Sequence, residues 1–388
     1  GRVLAAVTHP TIDVLDHEEM ATLVKEHHQA GHLNDRAVMP VVTEHGVDVM
    51  RDIDIDQRMG ACPIYTRRPQ RLLGFEGDTV EACFKAMQLE IGAPLEFMDF
   101  RFTVIDDHNG LFHLDHCGAL MDVEPMGEAF VVAMCHDIED PTFDATGWAT
   151  NPRLRMRPVH RPPRTPADRH PHCGWRVTID DSYQPTPEPP QLGRMVASRA
   201  ASLPLTAIAP AEGEQDGKLD YAGPFDPDLR VRGFATPTLR AIDEEVCLQG
   251  QLLSLSFAAA VEDRFGATYA TEALERQFTG VAGAVAERLL RSFGLGADAD
   301  AVATVFSLHP AFRPAAYVDG QVDVDGDRVR LALGDCPAAD EIGPTSWIGL
   351  LADGHDRALS AVATGVDPRW AVRPDGPSRW VVERGDQA

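Results

Sequence analysis

Adjacent cysteine and histidine residues are the first sign of chemistry in this sequence. They occur three times, far apart along the chain, at His116-Cys117, Cys135-His136 and His172-Cys173. Thiolate and imidazole groups bind zinc and iron, so convergence of these pairs would create a metal site. The absence of a Cys-x-x-Cys pair excludes a standard zinc ribbon or finger. We predict that zinc or iron is bound by Cys117, Cys135, His136 and Cys173; the competing interpretation is that the thiols pack as small apolar groups in the core.

A predicted strand at 111–117 offers a second kind of chemistry. Side chains alternate between the two faces of a strand, so His113, Asp115 and Cys117 are expected on one face. A thiol beside a base is the arrangement used in nucleophilic catalysis. We therefore predict a thiolate nucleophile, Cys117, with His113 or His136 as base, and Asp137 as the group that orients or deprotonates. The alternative is an ordinary solvated strand face.

Two stretches of the chain repeat the same order of residues. The first contains Cys117, Asn151-Pro152-Arg153 and Trp175, and the second contains Cys336, Asp367-Pro368-Arg369 and Trp380. Repeats set the architecture of a protein, so the features common to both copies are assigned to the fold. Cys135, His172 and Cys173 occur only in the first copy, which is where we expect the chemistry.

Three arginines alternate along the strand predicted after Pro152, at Arg153, Arg155 and Arg157. Guanidinium groups on one strand face can clamp a carboxylate or a phosphate. Exposed arginines on an edge strand are the competing interpretation. Arg153 and Arg157 have counterparts in the second copy, whereas the position of Arg155 is taken by Ala371. Arg155 is therefore the predicted substrate-binding residue.

Each copy has a pattern of helices followed by antiparallel strands. A capped helix is predicted at 78–92, and hairpin turns are predicted at Asn109-Gly110 and Asp325-Gly326. On the first predicted helix, His28 and His32 lie one turn apart, and without a matching acid they are interpreted as a polar face. The predicted fold is α+β, with two tandem modules packed as a pseudo-dimer. The predicted boundaries are an N-terminal module at 1–190, a linker at 191–240 and a degenerate C-terminal copy at 241–388.

Composition limits the class of protein. The formal net charge is -25 and no basic stripe occurs, which argues against nucleic acid as a partner. No apolar run reaches the roughly 18 residues of a membrane-spanning helix. Seven irregularly spaced cysteines do not form a secreted disulfide framework. We expect a cytoplasmic protein with a small-molecule substrate; homo-oligomerisation is left open.

The motif order resembles the L-2-amino-thiazoline-4-carboxylic acid hydrolase family and, more distantly, 4-vinyl reductase-type domains. The resemblance covers roughly 78–180 and rests on Cys117, Cys135-His136-Asp137, Asn151-Pro152-Arg153-Leu154-Arg155-Met156 and His172-Cys173-Gly174-Trp175-Arg176-Val177. The chain departs from the family pattern in the spacing of Asp137 from Cys135 and in a Pro-rich insert before His172. The family is usually a single module.

The resemblance implies a hydrolase that opens a small amino-thiazoline ring or cleaves a related C–N or C–S bond. Such an enzyme would use a Cys/His-lined site, either with zinc activating water or with a thiolate as nucleophile. The alternative implied by the more distant relatives is a non-catalytic module that senses a small ligand, a metal or haem. A carboxylate-bearing substrate would be held by Arg155.

Overall fold

The computed structural model describes residues 7–8, 12–209 and 216–385. The first part of the chain contains β1 (Val7–Thr8), α1 (His17–Thr43), α2 (Val47–Leu72), α3 (Val80–Met87), β2 (Met98–Asp106), β3 (Asn109–Cys117), α4 (Gly118–Val123), α5 (Glu128–Val132), a π-helix (Ala133–Ile138), α6 (Glu139–Thr150), β4 (Leu154–His160) and β5 (Cys173–Ile179). The second part contains α7 (Leu192–Val196), α8 (Arg199–Ser202), α9 (Thr236–Phe265), α10 (Ala267–Ser292), α11 (Ala299–Leu308), β6 (Gly320–Asp325), β7 (Arg328–Leu333), α12 (Trp347–Ala352), α13 (Arg357–Val366), β8 (Trp370–Pro374) and β9 (Arg379–Arg384).

The two modules have antiparallel sheets with the same strand order. The sheets run β2-β3-β5-β4 and β6-β7-β9-β8, and β1 extends the second sheet beside β6. Pro158 pairs with Trp175 in the first sheet, as Pro374 pairs with Trp380 in the second. The predicted α+β fold with two tandem modules is therefore confirmed.

The repeated Asn/Asp-Pro-Arg motif has a structural role in both modules. The side chain of Asn151 accepts a hydrogen bond from the backbone N–H of Arg153 at 2.8 Å, and Asp367 accepts one from Arg369 at 2.9 Å. Each motif ends a helix and turns the chain into the next strand. Asn and Asp favour such turns because their side chains bond to their own backbone two residues on.

Long helices from both modules pack together as the predicted pseudo-dimer. Helix α9 contacts α1 and α2, and α10 contacts α1. Most of α9 is buried, as expected for a helix in the centre of a protein. Its Glu245 forms a buried bidentate ion pair with Arg68 of α2, with both N–O distances at 2.7 Å. No helix among the described residues is long and apolar enough to cross a lipid bilayer.

The first hairpin turn lies two residues earlier than predicted. Asp106 pairs with Asn109, so Asp107 and His108 form the turn, and Gly110 lies inside β3. A Cβ atom on Gly110 would lie 2.6 Å from Val80 Cγ1 and 2.7 Å from Phe84 Cε2. This glycine therefore permits the close approach of α3 to the sheet. The second turn lies one residue later than predicted, because Asp325 pairs with Arg328 and the turn is formed by Gly326, with a φ of 67°, and Asp327.

A β-bulge overturns the expected sharing of one strand face by His113 and Cys117. Leu114 pairs with Phe100 and Cys117 pairs with Met98, so two residues of β3 lie opposite one residue of β2. The extra residue reverses the alternation at the end of the strand. His113 faces outward, whereas Cys117 is buried and caps α4, where its Sγ accepts a hydrogen bond from Leu120 N at 3.4 Å.

Helix α3 ends at Met87, short of the predicted end near Gly92. The backbone beyond it bonds to side chains of other helices. Leu89 O accepts from His28 Nε2 at 3.1 Å, and Ile91 N donates to Gln249 Oε1 at 2.7 Å. These contacts with α1 and α9 replace the helical hydrogen bonds and fix the position of Glu90 between them.

Candidate active site in the first module

A cavity of about 120 Å³ lies in the first module. Its walls come from α1, α2, the segment 87–98, α4 and the junction of the π-helix with α6, and Leu253 of α9 closes one side. The volume is several times the roughly 10–15 Å³ needed by one water molecule. The cavity can therefore hold a small organic molecule.

Helix α1 lies against the segment that follows α3 because Gly31 has no side chain. A Cβ atom there would lie 2.3 Å from Ile91 O. His32, the next residue, and Asp35, one helical turn beyond Gly31, line the cavity. Arg58 lines it from α2, one turn before Cys62 and two turns before Tyr65. Residues three and four apart share a helix face, so each helix presents a polar stripe to the cavity.

Arg58 is held between two carboxylates. Its Nη2 donates to Asp35 Oδ2 at 2.6 Å, and its Nε donates to Asp54 Oδ1 at 3.3 Å. The pKa of Asp35 is raised to about 6, because burial and the charge of Asp54 together outweigh the attraction of Arg58. Asp35 is therefore largely ionised at neutral pH, and the guanidinium charge of Arg58 is already neutralised.

Glu90 and Glu139 are carboxyl groups without a cation bonded to them. Glu90 is 5% exposed, and its Oε1 accepts from the hydroxyl of Thr66 at 2.9 Å. Burial raises the pKa of Glu90 to about 7. Glu139 Oε2 is buried without a hydrogen-bond partner among the described residues. Burial raises the pKa of Glu139 to about 8 despite the charges of Arg161 and Arg58, so Glu139 is mainly protonated at neutral pH and can donate a proton.

His32 is a neutral hydrogen-bonding group in the cavity wall. It is 7% exposed and stacks on Phe97 with ring centroids 3.9 Å apart and an interplanar angle of 7°. Its Nδ1 has no partner within the part of the chain that the structure describes. Burial lowers the pKa of His32 to about 4, and the charge of Arg36 adds to this effect. A neutral imidazole keeps one nitrogen as a hydrogen-bond acceptor.

An ion pair closes the cavity between α1 and α4. Arg36 Nε and Nη2 donate to the two carboxylate oxygens of Asp122 at 2.7 and 2.8 Å. The guanidinium also lies 5.3 Å from the centre of the Phe97 ring. Both charged side chains are partly exposed, so this pair forms the rim of the cavity and His32 lies beneath it.

The three predicted thiols come together, but behind the cavity wall. Cys117, Cys135 and Cys173 lie in the buried core beneath the first sheet, and none of them lines the cavity. Burial raises the pKa of Cys117 to about 12, with a further contribution from Glu139, and burial raises the pKa of Cys135 and Cys173 as well. Thiols with raised pKa values contain almost no thiolate at neutral pH and are poor nucleophiles.

The other predicted site residues are dispersed. His113 Nε2 contacts Asp115 at 3.2 Å on the outer face of the sheet, and Asp137 is exposed, 3.8 Å from Arg51. His136 Nε2 bonds to Pro162 O at 2.6 Å, and Arg155 donates to the backbone oxygens of Pro152 and Leu154. None of these four residues lines the cavity. Their catalytic, metal-binding and substrate-binding roles stay predictions.

A different set of residues has the close spacing of metal ligands. Among residues 12–209 and 216–385, the group with three ligand atoms within 4.8 Å of one another is His27, Asp243 and Cys247. This cluster is completely buried between α1 and α9, with His27 Nδ1 2.7 Å from Asp243 Oδ1 and 3.3 Å from Cys247 Sγ.

The charges around the cluster of His27, Asp243 and Cys247 balance without a metal. Arg313 Nε lies 3.4 Å from Asp243 Oδ2. Burial raises the pKa of Asp243, but the charges of His27 and Arg313 outweigh it and hold the pKa below its usual value. His27 Nε2 bonds to Leu308 O at 2.8 Å. A cationic guanidinium disfavours a second cation, so we interpret this cluster as a buried ion-pair network that joins the modules.

Sequence reasoning missed the residues of the cavity, although part of the signal was present. The acid that would match His28 and His32 is Asp35, three residues beyond His32 on the same helix. The series Asp54, Arg58 and Cys62 likewise repeats at one helical turn on α2. Glu90 and Glu139 gave no such signal, because they join these helices only through the tertiary fold.

Among the described residues, the cavity of the second module lacks an equivalent group of acids. Its cavity lies between the sheet and α11 and is lined mainly by apolar side chains, among them Phe306, Phe312, Leu331, Leu351 and Trp380. The carboxylate among its lining residues is Asp323 of β6. The two modules therefore share a fold and differ in the chemistry of their cavities.

No protein-family model, curated protein or solved structure matches this chain.

Proposed function

We propose that this chain is a hydrolase that cleaves a C–N or C–S bond of a small polar metabolite in the cavity of the first module. The observation that carries the proposal is the pair Asp35 and Glu139, which line the same cavity as Arg58. Their pKa values are about 6 and about 8. Carboxyl groups whose environments hold them in opposite protonation states are suited to act as base and acid. The type of bond rests on the family resemblance.

Asp35 and Glu139 have separate roles in the proposed reaction. Asp35, ionised and oriented by Arg58, removes a proton from a water molecule that attacks the electrophilic carbon of the substrate. Glu139, protonated, donates its proton to the departing nitrogen or sulfur. The proton taken up by Asp35 then returns to Glu139 through solvent, which restores the starting state. General acid and base catalysis of this kind contributes about 10²- to 10⁴-fold in rate.

The proposal is tested by the pH dependence of turnover on a panel of small cyclic C–N and C–S substrates that includes 2-amino-thiazoline-4-carboxylate. We expect kcat/KM to rise as Asp35 ionises near pH 6 and to fall as Glu139 loses its proton near pH 8. Asp35→Asn should remove the acidic limb, and Glu139→Gln should remove the alkaline limb. Each should lower kcat by roughly 10²-fold or more.

The matched control is Glu128→Gln, which changes an exposed acid near the same π-helix and should leave the profile unchanged. Unfolding curves of all variants separate lost chemistry from lost structure. Normal kcat in folded Asp35→Asn and Glu139→Gln would overturn the assignment of base and acid. Turnover of no substrate in the panel by the wild-type protein would count against hydrolysis and favour a ligand-sensing module.

A further inference from the structure

We infer that the cavity binds the ligand through a cationic group with several N–H donors, an amidinium or ammonium group, and not through a carboxylate. The inference rests on the same cavity as the proposed function but concerns binding alone. It follows from which polar atoms of the cavity already have partners and which do not.

Three side chains that line the cavity each have a polar atom to which no described residue is hydrogen-bonded. His32 is nine-tenths buried, and its Nδ1 has no partner. Glu139 Oε2 is likewise buried without a partner, and Glu90 bonds to Thr66 through Oε1 alone. These statements apply to the described residues. Neutral imidazole and ionised carboxylate groups accept hydrogen bonds, so the matching ligand group is one that only donates them.

The cations around the cavity are already engaged, which leaves none for a ligand carboxylate. Arg58 bonds to Asp35 and Asp54, and Arg36 forms a bidentate pair with Asp122. Arg161, beside Glu139, donates to Asp140 at 2.6 Å. Cys62 and Tyr65 on α2 are neutral, since burial raises the pKa of both groups.

The charge balance favours the same conclusion. With all carboxyl groups ionised, Asp35, Asp54, Glu90 and Glu139 would be neutralised by Arg58 and by Arg161, which is itself bonded to Asp140. The protein compensates by keeping protons on Glu90 and Glu139, whose pKa values burial raises. A bound cation would first displace the proton of Glu90, whose pKa is the lower of the two, because an opposite charge nearby favours the ionised form of a carboxyl group. Glu139 then keeps the proton that the proposed mechanism uses. Binding should therefore release a proton and strengthen as the pH rises.

The experiment compares three probes of nearly equal size: acetamidinium, acetamide and acetate. Each probe is titrated against the full-length protein by NMR or calorimetry at about pH 6 and about pH 8.5. We expect acetamidinium to bind at least about tenfold more tightly than acetamide or acetate at the higher pH. Its affinity should fall at least about tenfold at the lower pH, where protons compete for Glu90. The affinity of acetamide should not change in this way between the two pH values.

Variants locate the effect within the cavity. Glu90→Gln should weaken acetamidinium binding and reduce the protons released, whereas the exposed control Glu128→Gln should behave as wild type. Equal or tighter binding of acetate or acetamide would overturn the inference, as would failure of acetamidinium to bind or unchanged binding in folded Glu90→Gln. Because these readouts need no turnover, the inference can stand if the hydrolase proposal fails, and the reverse also holds.

Discussion

Glu139 and Glu90 are acids that the fold keeps uncharged near neutral pH. Burial raises their pKa values to about 8 and about 7, against about 4.3 for a glutamate in water. Within the part of the chain that the structure describes, Oε2 of Glu139 receives no hydrogen bond that would stabilise a charge. An acid with a pKa near the working pH transfers protons efficiently, which is why we assign chemistry to this residue.

The same shift predicts how stability depends on pH. The pKa of Glu139 is higher in the folded than in the unfolded protein, so between about pH 4.5 and pH 8 the folded state retains a proton that the unfolded chain has released. Its contribution to stability is therefore complete at low pH and is lost as the pH rises through this window. The expected loss is up to about 1.4 kcal/mol per pH unit.

Denaturant unfolding at several pH values between 6 and 8 checks this prediction. The free energy of unfolding of Glu139→Gln should fall less steeply with pH than that of the wild type, because the amide does not titrate. Glu128→Gln should keep the wild-type slope. Parallel slopes for wild type and Glu139→Gln would mean that Glu139 ionises at its ordinary pKa.

At the scale of elements, the site is positioned by segments of irregular backbone. The π-helix comes directly before Glu139, and the bulge in β3 turns Cys117 into the core. Both kinds of irregularity are frequent near functional sites. The alternation and periodicity visible in the sequence assume regular strands and helices. They predicted the hairpin and helix types, but they failed at the first turn, at the end of α3 and at Cys117, where tertiary contacts decide the backbone.

The junction of β3 with α4 should control the burial and the pKa of His32. A Cβ atom on Gly118 would lie 2.1 Å from Phe97 Cδ2, so Gly118→Ala must displace the ring that stacks on His32. Overpacking of this kind costs about 1–3 kcal/mol. We expect lower stability and, because burial of His32 decreases, a rise of its pKa from about 4 toward the usual value. NMR titration of His32 measures this shift.

Gly233→Ala is the matched control, since a Cβ atom there meets nothing within 4 Å. It should leave both stability and the titration of His32 unchanged. A Gly118→Ala protein with wild-type stability and an unaltered His32 titration would show that Phe97 moves aside freely and does not hold the imidazole.

At the scale of the whole molecule, the two modules share a fold and differ in the chemistry of their cavities. The repeated Asn/Asp-Pro-Arg and Trp positions predicted two modules, because local turns and strand registers repeat with the sequence. The second module completes the first: Leu253 closes the cavity and Gln249 holds the backbone of Ile91. The sequence alone did not predict the acids of the cavity, since Asp35, Glu90 and Glu139 come from separate elements that meet only in the tertiary fold.

The central claim is that the carboxyl cavity of the first module, and neither the thiol cluster nor the second module, carries the chemistry. Turnover of one substrate by Glu139→Gln, Cys117→Ser and Cys336→Ser, each verified as folded, tests it most directly. We predict a loss of roughly 10²-fold or more in kcat for Glu139→Gln alone, with the two serine variants near wild type. Loss of activity in folded Cys117→Ser or Cys336→Ser, with Glu139→Gln still active, would contradict the claim and return the active site to the thiols.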